Sequence, residues 1–436
     1  MPKGPTSVEI RTYQVGFGDC FLLSFVYSGT DKRHVLIDFG TTGLPGRTRR
    51  RSAHMPRIAK HIKSVCGPNG LTAVVATHRH ADHINGFGTD GGTGRSGSII
   101  RDLKPRLVLQ PWTEDPGAKT DARKATRESS RSRKSFVAGL AAMNDVAAMV
   151  ASIATKPPAW MSSALQKELL FLGQDNVANR SAVDNLIAMG RRPGSTAVWA
   201  HHGSPSGLER LLPGVTVHVL GPPDLTQTEK IRKQKSRDPD QFWHLLSAGA
   251  STKGRNLLAK GFPSGARAKR HPVPPAARWF RDRLERLNGQ QILEIVRTLD
   301  QQMNNTSLIL LFEVFGKKLL FPGDAQIENW SYALGDAPDA AKTRALLAEV
   351  DVYKVGHHGS LNATPKQALW ERFRKRNKGL RTLLSTLPGK HGSSRSHTEV
   401  PRKTLLQELE ARSILQNTMR LKATSPEPCL LLTLKR

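Results

Sequence analysis

His78, Arg79, His80, Ala81, Asp82 and His83 put four metal-competent side chains into six residues, directly behind the apolar run 74–77. Neutral imidazole and carboxylate suit zinc, and also manganese or iron. On extended backbone His78 and His80 project to the same side, as two imidazoles sharing one cation require. Asp82 and His83, at the turn into the next helix, can face a second cation beside it. A loop at the carboxyl end of a buried strand favours a site. A chance polar loop is the competing reading, and four candidate ligands in so short a run argue against it.

Further candidates stand after later apolar runs: Asp324 behind 319–322, His357 and His358 behind 352–355, and His391 and His397 behind 380–385. Asp38 closes the run 35–37. Taken alone, Asp324 is an ordinary turn aspartate and each downstream histidine an ordinary loop residue. Their order changes that reading. Val15, Gly16, Phe17, Gly18, Asp19, then the H-x-H-x-D-H run 78–83, then Pro322, Gly323, Asp324, then Val355, Gly356, His357, His358, Gly359, Ser360 follow one another along the chain. This series resembles the metallo-β-lactamase superfamily, and within it the soluble hydrolase domain of the ComEC competence proteins. The resemblance covers the start of the chain to about Gly88 and resumes at Asn304; the middle third matches less clearly.

The resemblance implies an α/β fold, an αββα sandwich in which two sheets packed between helices hold one or two metals at the sheet edge. It implies a ligand set of His78, His80, Asp82, His83, Asp324, His358 and His397, with Asp324 bridging two divalent ions, zinc first and manganese as the alternative. One of His357 and His358 would bind metal while the other contacts the scissile group; we take His358 as the ligand and His357 as catalytic, although the sequence does not fix the order. His397 aligns better than His391, and either can complete the second metal site. Asp38 would orient the metal loop from behind through hydrogen bonds. Asp82 would orient the attacking water or accept its proton. Asp19 and its glycines read as a tight first hairpin, His218 as a strand residue without a site role, and the His201, His202, Gly203, Ser204 string as a decoy of the later motif.

The elements that must position these groups follow from patterning. Strands are expected over 8–15, 21–27 and 35–39, consecutive and antiparallel, then a helix over 55–65 with Ile58, Ile62 and Val65 on one face, and strands over 73–77 and 106–110. A strand over 215–220 closes on Gly221, Pro222 and Pro223. Beyond Leu299 strands are expected over 307–315, 318–321, 352–355 and 380–385, with helices near 340–349, 366–374 and 404–412. The whole chain, 1–436, reads as a single domain, with 113–194 and 224–300 as basic helical insertions.

Charge then narrows the partner. Against 36 Asp and Glu stand 66 Lys and Arg, a net charge of +30 over 436 residues, concentrated in tracts 119–134, 230–237 and 253–286. A polyanionic partner, nucleic acid first, is the expectation. Three scattered cysteines exclude a disulfide scaffold and a zinc ribbon. No stretch approaches the roughly 20 apolar residues needed to span a bilayer, so no membrane association and a cytoplasmic setting are expected. The function these features support is a metal-dependent hydrolase, a phosphodiesterase or nuclease first. Hydrolysis of a small phosphoester, lactone or amide is the alternative within that chemistry, and a nucleic-acid-binding component with a structural or vestigial metal site the alternative outside it.

Overall fold

The computed structural model describes residues 4–46, 51–90, 95–115, 180–228, 304–392 and 399–436. His397 and the basic tracts 119–134, 230–237 and 253–286 lie outside the described residues. In chain order the elements are β1 (Ser7–Tyr13), β2 (Cys20–Val26), β3 (Lys32–Phe39), α1 (Arg51–Cys66), β4 (Ala73–Val75), α2 (Ala81–Ile84), α3 (Ser96–Arg101), β5 (Leu107–Pro111), α4 (Arg180–Arg191), β6 (Thr196–Ala200) and β7 (Val215–Gly221). They continue with β8 (Ile309–Val314), β9 (Lys317–Phe321), α5 (Ile327–Ser331), α6 (Ala340–Ala348), β10 (Val352–Lys354), β11 (Arg381–Leu384), α7 (Lys403–Arg412), β12 (Ile414–Asn417) and β13 (Cys429–Lys435).

These strands form two mixed sheets. One runs β13-β1-β2-β3-β4-β5-β6, the other β12-β11-β10-β9-β8-β7. Strands β1, β2 and β3 are consecutive and antiparallel, as their turn-bounded runs predict. From β3 through β6, and again from β9 through β12, neighbours are parallel.

The near-continuous apolar character of the strands has a geometric cause: successive side chains alternate between two faces, and both faces are covered. In β2, Phe21, Leu23 and Phe25 join one cluster with Leu310, Phe312, Leu319 and Phe321 of β8 and β9, the core between the sheets. The alternate residues Cys20 and Leu22 pack with Ile58 and Ile62 of α1, Ile99 and Ile100 of α3 and Leu186 of α4. On the second sheet Ile309, Leu311, Leu320 and Tyr353 pack against Trp330, Leu347, Leu405 and Leu409 from α5, α6 and α7. Helices thus cover the outer face of each sheet.

One expectation needs correction. Residues 366–374 do not form an α-helix; only a 3-10 turn, Trp370–Arg372, forms there. The amides of Trp370 and Glu371 reach back five residues, to the Pro365 and Lys366 carbonyls at 2.9 and 2.8 Å. That wider turn brings Leu369, Trp370 and Phe373 together into the core. Within 113–194, Ala182, Leu186 and Met189 of α4 are core residues; after that stretch, β6 extends the first sheet beyond β5. Among the described residues no helix is long and apolar enough to cross a membrane, and all three cysteines are free and buried.

Candidate metal centre

Parallel strands deliver their carboxyl ends to one rim, where loops can meet. Asp38 lies within β3, the 78–83 loop follows β4, Asp324 follows β9, His357 and His358 follow β10, and Ser385 follows β11. The sheets are tied together at this rim. Leu308 N donates to Thr77 O at 2.9 Å and Ser385 Oγ to Gly18 O at 2.6 Å, while Asp19 N, donating to Asp82 O at 2.9 Å, joins two loops of the first sheet.

The aspartate at 38 braces the loop from behind. Its Oδ1 accepts from Thr77 N at 2.7 Å, and its Oδ2 from Thr77 Oγ1 at 2.7 Å and from His83 Nδ1 at 2.7 Å. His83 Nε2 is thereby aimed forward, 3.0 Å from Asp324 Oδ2. Neither of those two buried atoms has a hydrogen-bond partner. His358 is held in the same way: Nδ1 lies 3.0 Å from Ser385 O, while Nε2 lies 3.0 Å from Asp82 Oδ2 and 3.5 Å from Asp324 Oδ2. His78 Nε2 and His80 Nδ1 stand 3.0 Å apart. Two nitrogens each about 2.0 Å from a shared zinc would be separated by about 3.3 Å, so this pair is close to the spacing one cation requires. The His78 ring also lies 4.1 Å from that of His83, joining the pair to the rest.

Two residues enter the centre that motif reading placed elsewhere or passed over. Asp19, read as part of a hairpin, is fully buried at the rim, its carboxylate 3.7 Å from His83 and 3.5 Å from His358. Asp19, His83, Asp324 and His358 each offer an atom within 4.8 Å of the others, a set able to hold a metal ion. Lys354, the last residue of β10, is buried between Asp19 and Asp324. It contacts the Asp19 carboxylate and donates to Gly323 O at 2.9 Å and to Asp324 Oδ1 at 3.3 Å. A lysine inside an apolar strand run, three residues before a His-His pair, was the available signal for it.

Charge in this space is unbalanced. Four buried aspartates, Asp19, Asp38, Asp82 and Asp324, face one buried lysine. Burial by itself would depress the histidines, yet Asp324, Asp38 and Asp82 raise His83 well above its ordinary value, and Asp324 and Asp19 raise His358. Burial would likewise raise the carboxyls, but His83 and His358 pull Asp82 down, and His83 and Lys354 pull Asp324 down. Without a metal, then, this excess of carboxylates favours the protonated forms of His83 and His358. A divalent cation would replace those protons, and the donor set fits one. His78 is the contrast: burial, then His83 and His80, drive it well below its usual value, so it is a neutral imidazole able to ligate.

Strained backbone concentrates here as well. Asp38, His357 and His358 are three of the six non-glycine residues with positive φ among the described residues. Such conformations cost about 1 kcal/mol or more each and persist where surrounding structure enforces them. The turn at 357–358 leaves His358 buried and turns His357 outward, its side chain 25% exposed, with Nε2 3.8 Å from Asp324 Oδ2 and Nδ1 2.8 Å from Ser360 Oγ.

The remaining histidines separate clearly. His391 packs on Phe17 at 3.9 Å between ring centroids, and the same ring lies 4.5 Å from His358. Burial pushes His391 down to about 3. It therefore lies beside the centre. His202 binds Leu220 O and Asp339, and His218 pairs with Glu313 at 2.5 Å; neither contact involves a residue of the centre. In comparisons with known proteins, no family model matches the chain and no curated protein matches it.

Proposed function

We propose that the chain is a metal-dependent hydrolase of the metallo-β-lactamase type, acting on phosphodiesters and most simply on nucleic acid. One observation carries this reading: ligand-type side chains separated by some 240 residues, His78, His80, Asp82 and His83 against Asp324 and His358, meet at one buried rim with excess negative charge. The helix-covered pair of sheets supports the same fold assignment. His78, His80, Asp82, His83, Asp324 and His358 are the residues that would hold one or two divalent ions. Such ions supply Lewis acidity toward a phosphoryl oxygen and lower the pKa of water, so no protein nucleophile is needed.

The chain's own residues divide the other work. Asp82, acidic and close to His358, is suited to orient an attacking water and take its proton. His357, at the exposed lip of the centre and steadied by Ser360, is suited to meet a non-bridging phosphate oxygen. Asp38 and Ser385 hold His83 and His358 in orientation. The net charge of +30 favours a polyanionic substrate over a neutral lactone or amide.

The test is a His80→Ala, Asp82→Ala double variant beside the wild type, assayed for metal by elemental analysis and for cleavage of DNA, RNA and a chromogenic phosphodiester. The variant is expected to lose bound metal and to be slower by about a hundredfold or more, the scale for loss of a positioned proton acceptor. Unchanged metal content would contradict the site. Wild type replete with zinc or manganese that binds DNA yet cleaves no phosphodiester would leave the binding-component reading in its place.

A further inference from the structure

A second group of ligand-type side chains lies apart from the rim, where α1 meets the start of β13. His61 of α1, Glu427 and Cys429 each present one donor atom within 4.8 Å of the others. His61 Nε2 is 3.1 Å from Glu427 Oε2. Cys429 is buried, the His61 side chain is 23% exposed and that of Glu427 76% exposed, so the group is anchored on one side and open to solvent on the other. The other ring nitrogen of His61 is already engaged: Nδ1 lies 3.1 Å from the hydroxyl of Tyr13, a fully buried residue, and the two rings meet edge-on at 5.6 Å. When Nδ1 donates to that hydroxyl, Nε2 carries the lone pair and is held facing Glu427 and Cys429. A fixed hydrogen bond to the far nitrogen is how proteins orient a metal-binding imidazole. The segment leading into β13 is also gripped by α1 through Arg57, which donates to the carbonyls of Ala423 at 2.6 Å and Pro426 at 3.2 Å and contacts that of Ser425.

We infer that His61, Glu427 and Cys429 form a second, separate divalent-cation site, selective for zinc-like borderline-soft ions, that clamps α1 to the edge strand β13. Sulfur, imidazole and carboxylate together select zinc over magnesium or calcium. Binding releases the Cys429 thiol proton to solvent and forms the metal–sulfur bond; Glu427 supplies a charge that is already negative. The fourth position of a tetrahedral ion faces solvent and takes water. The clamp bears on fold integrity at the sheet edge, and it does not depend on the hydrolase reading.

Chemistry separates the two sites, because none of the candidate ligands at the rim is a cysteine. The full-length protein, stripped with chelator and titrated with cobalt(II), is expected to show a near-ultraviolet thiolate-to-cobalt charge-transfer band. That band should disappear in Cys429→Ser and persist in Cys66→Ser and in Asp324→Ala. Glu427→Gln, a change at an exposed position that does not endanger folding, should weaken cobalt binding read from the same band about tenfold or more. Folded wild type that takes up cobalt without the band, a band that survives Cys429→Ser, or a Glu427→Gln titration indistinguishable from wild type would each overturn the site and leave His61 and Glu427 as a plain ion pair. Failure of the rim centre, by contrast, would show as unchanged metal content in the His80→Ala, Asp82→Ala variant, whatever the charge-transfer band of the second site does.

Discussion

Lys354 is the one buried lysine among the described residues, and it stands between the carboxylates of Asp19 and Asp324. Its contacts with Asp19 and Asp324 hold its own pKa above the usual lysine range against the effect of burial. Removing one partner of a buried ion pair leaves an uncompensated charge and typically costs about 3–5 kcal/mol. Lys354→Met is therefore expected to lose about that much stability in chelator, measured by urea unfolding. Added zinc or manganese should recover much of the loss, since a ligand that binds only the folded state stabilises it. Equal stability of variant and wild type in chelator would show that the lysine is not the compensating charge. Asp19 carries the same lesson: a Gly-flanked aspartate before a strand reads as turn chemistry, and the contacts that make it part of a charged centre come from residues more than sixty and more than three hundred positions away.

At the scale of elements, β3 and the loop after β4 act as one unit. A Cβ on Gly40 would lie 2.4 Å from both Asp82 C and His83 N, backbone atoms that no rotamer change can move aside. Gly40→Ala must displace the 78–83 loop, and on the proposed reading metal affinity should fall about tenfold or more with a stability loss of about 1–3 kcal/mol. Competition titration with a chromogenic chelator reads the first and thermal unfolding the second; unaltered affinity would mean that the loop tolerates the shift. The same strand holds a pH-sensitive group. Burial, then Lys32 and Arg11, lower His34 to about 4; its Nδ1 lies 2.8 Å from Ser24 Oγ and its Nε2 is buried without a hydrogen-bond partner. Unfolded, the histidine titrates near about 6.5, so between those values the unfolded chain holds the extra proton. Its contribution is complete above about pH 6.5 and is lost as pH falls toward 4. His34→Gln should flatten the stability profile across that window relative to wild type, and parallel profiles would disprove the assignment.

For the whole molecule, the relevant quantities are the charge of +30 and the way two sheets share one rim. If the substrate is nucleic acid, binding should weaken steeply with salt, with a slope in log K against log salt of about −0.9 for each phosphate neutralised on duplex DNA. Fluorescence anisotropy on a labelled duplex, in chelator to prevent cleavage, measures it. Neutralising the basic residues in 253–286 should flatten the slope. A salt-independent affinity, or no binding at low salt, would turn the hydrolase reading toward a small ester.

By itself the sequence determined the local pieces. The 78–83 run, the Gly-Asp at 323–324 and the His-His pair at 357–358 are contiguous strings, and β1 to β5 and β7 to β11 follow from apolar runs bounded by turn residues. Those signals are legible because ligand spacing and strand period act over a few residues. Tertiary structure decided what sits opposite what. It assigned Asp19 and Lys354 to the centre, set His391 beside it, separated His202 and His218 from it, and opened 366–374 into turns so that Leu369, Trp370 and Phe373 could pack. It also added β6, β12 and β13 to the sheet edges. The reason is physical: a buried carboxylate, lysine or imidazole takes its role from the charges that share its low-dielectric space, and which charges those are is settled only when distant strand ends are brought to one rim.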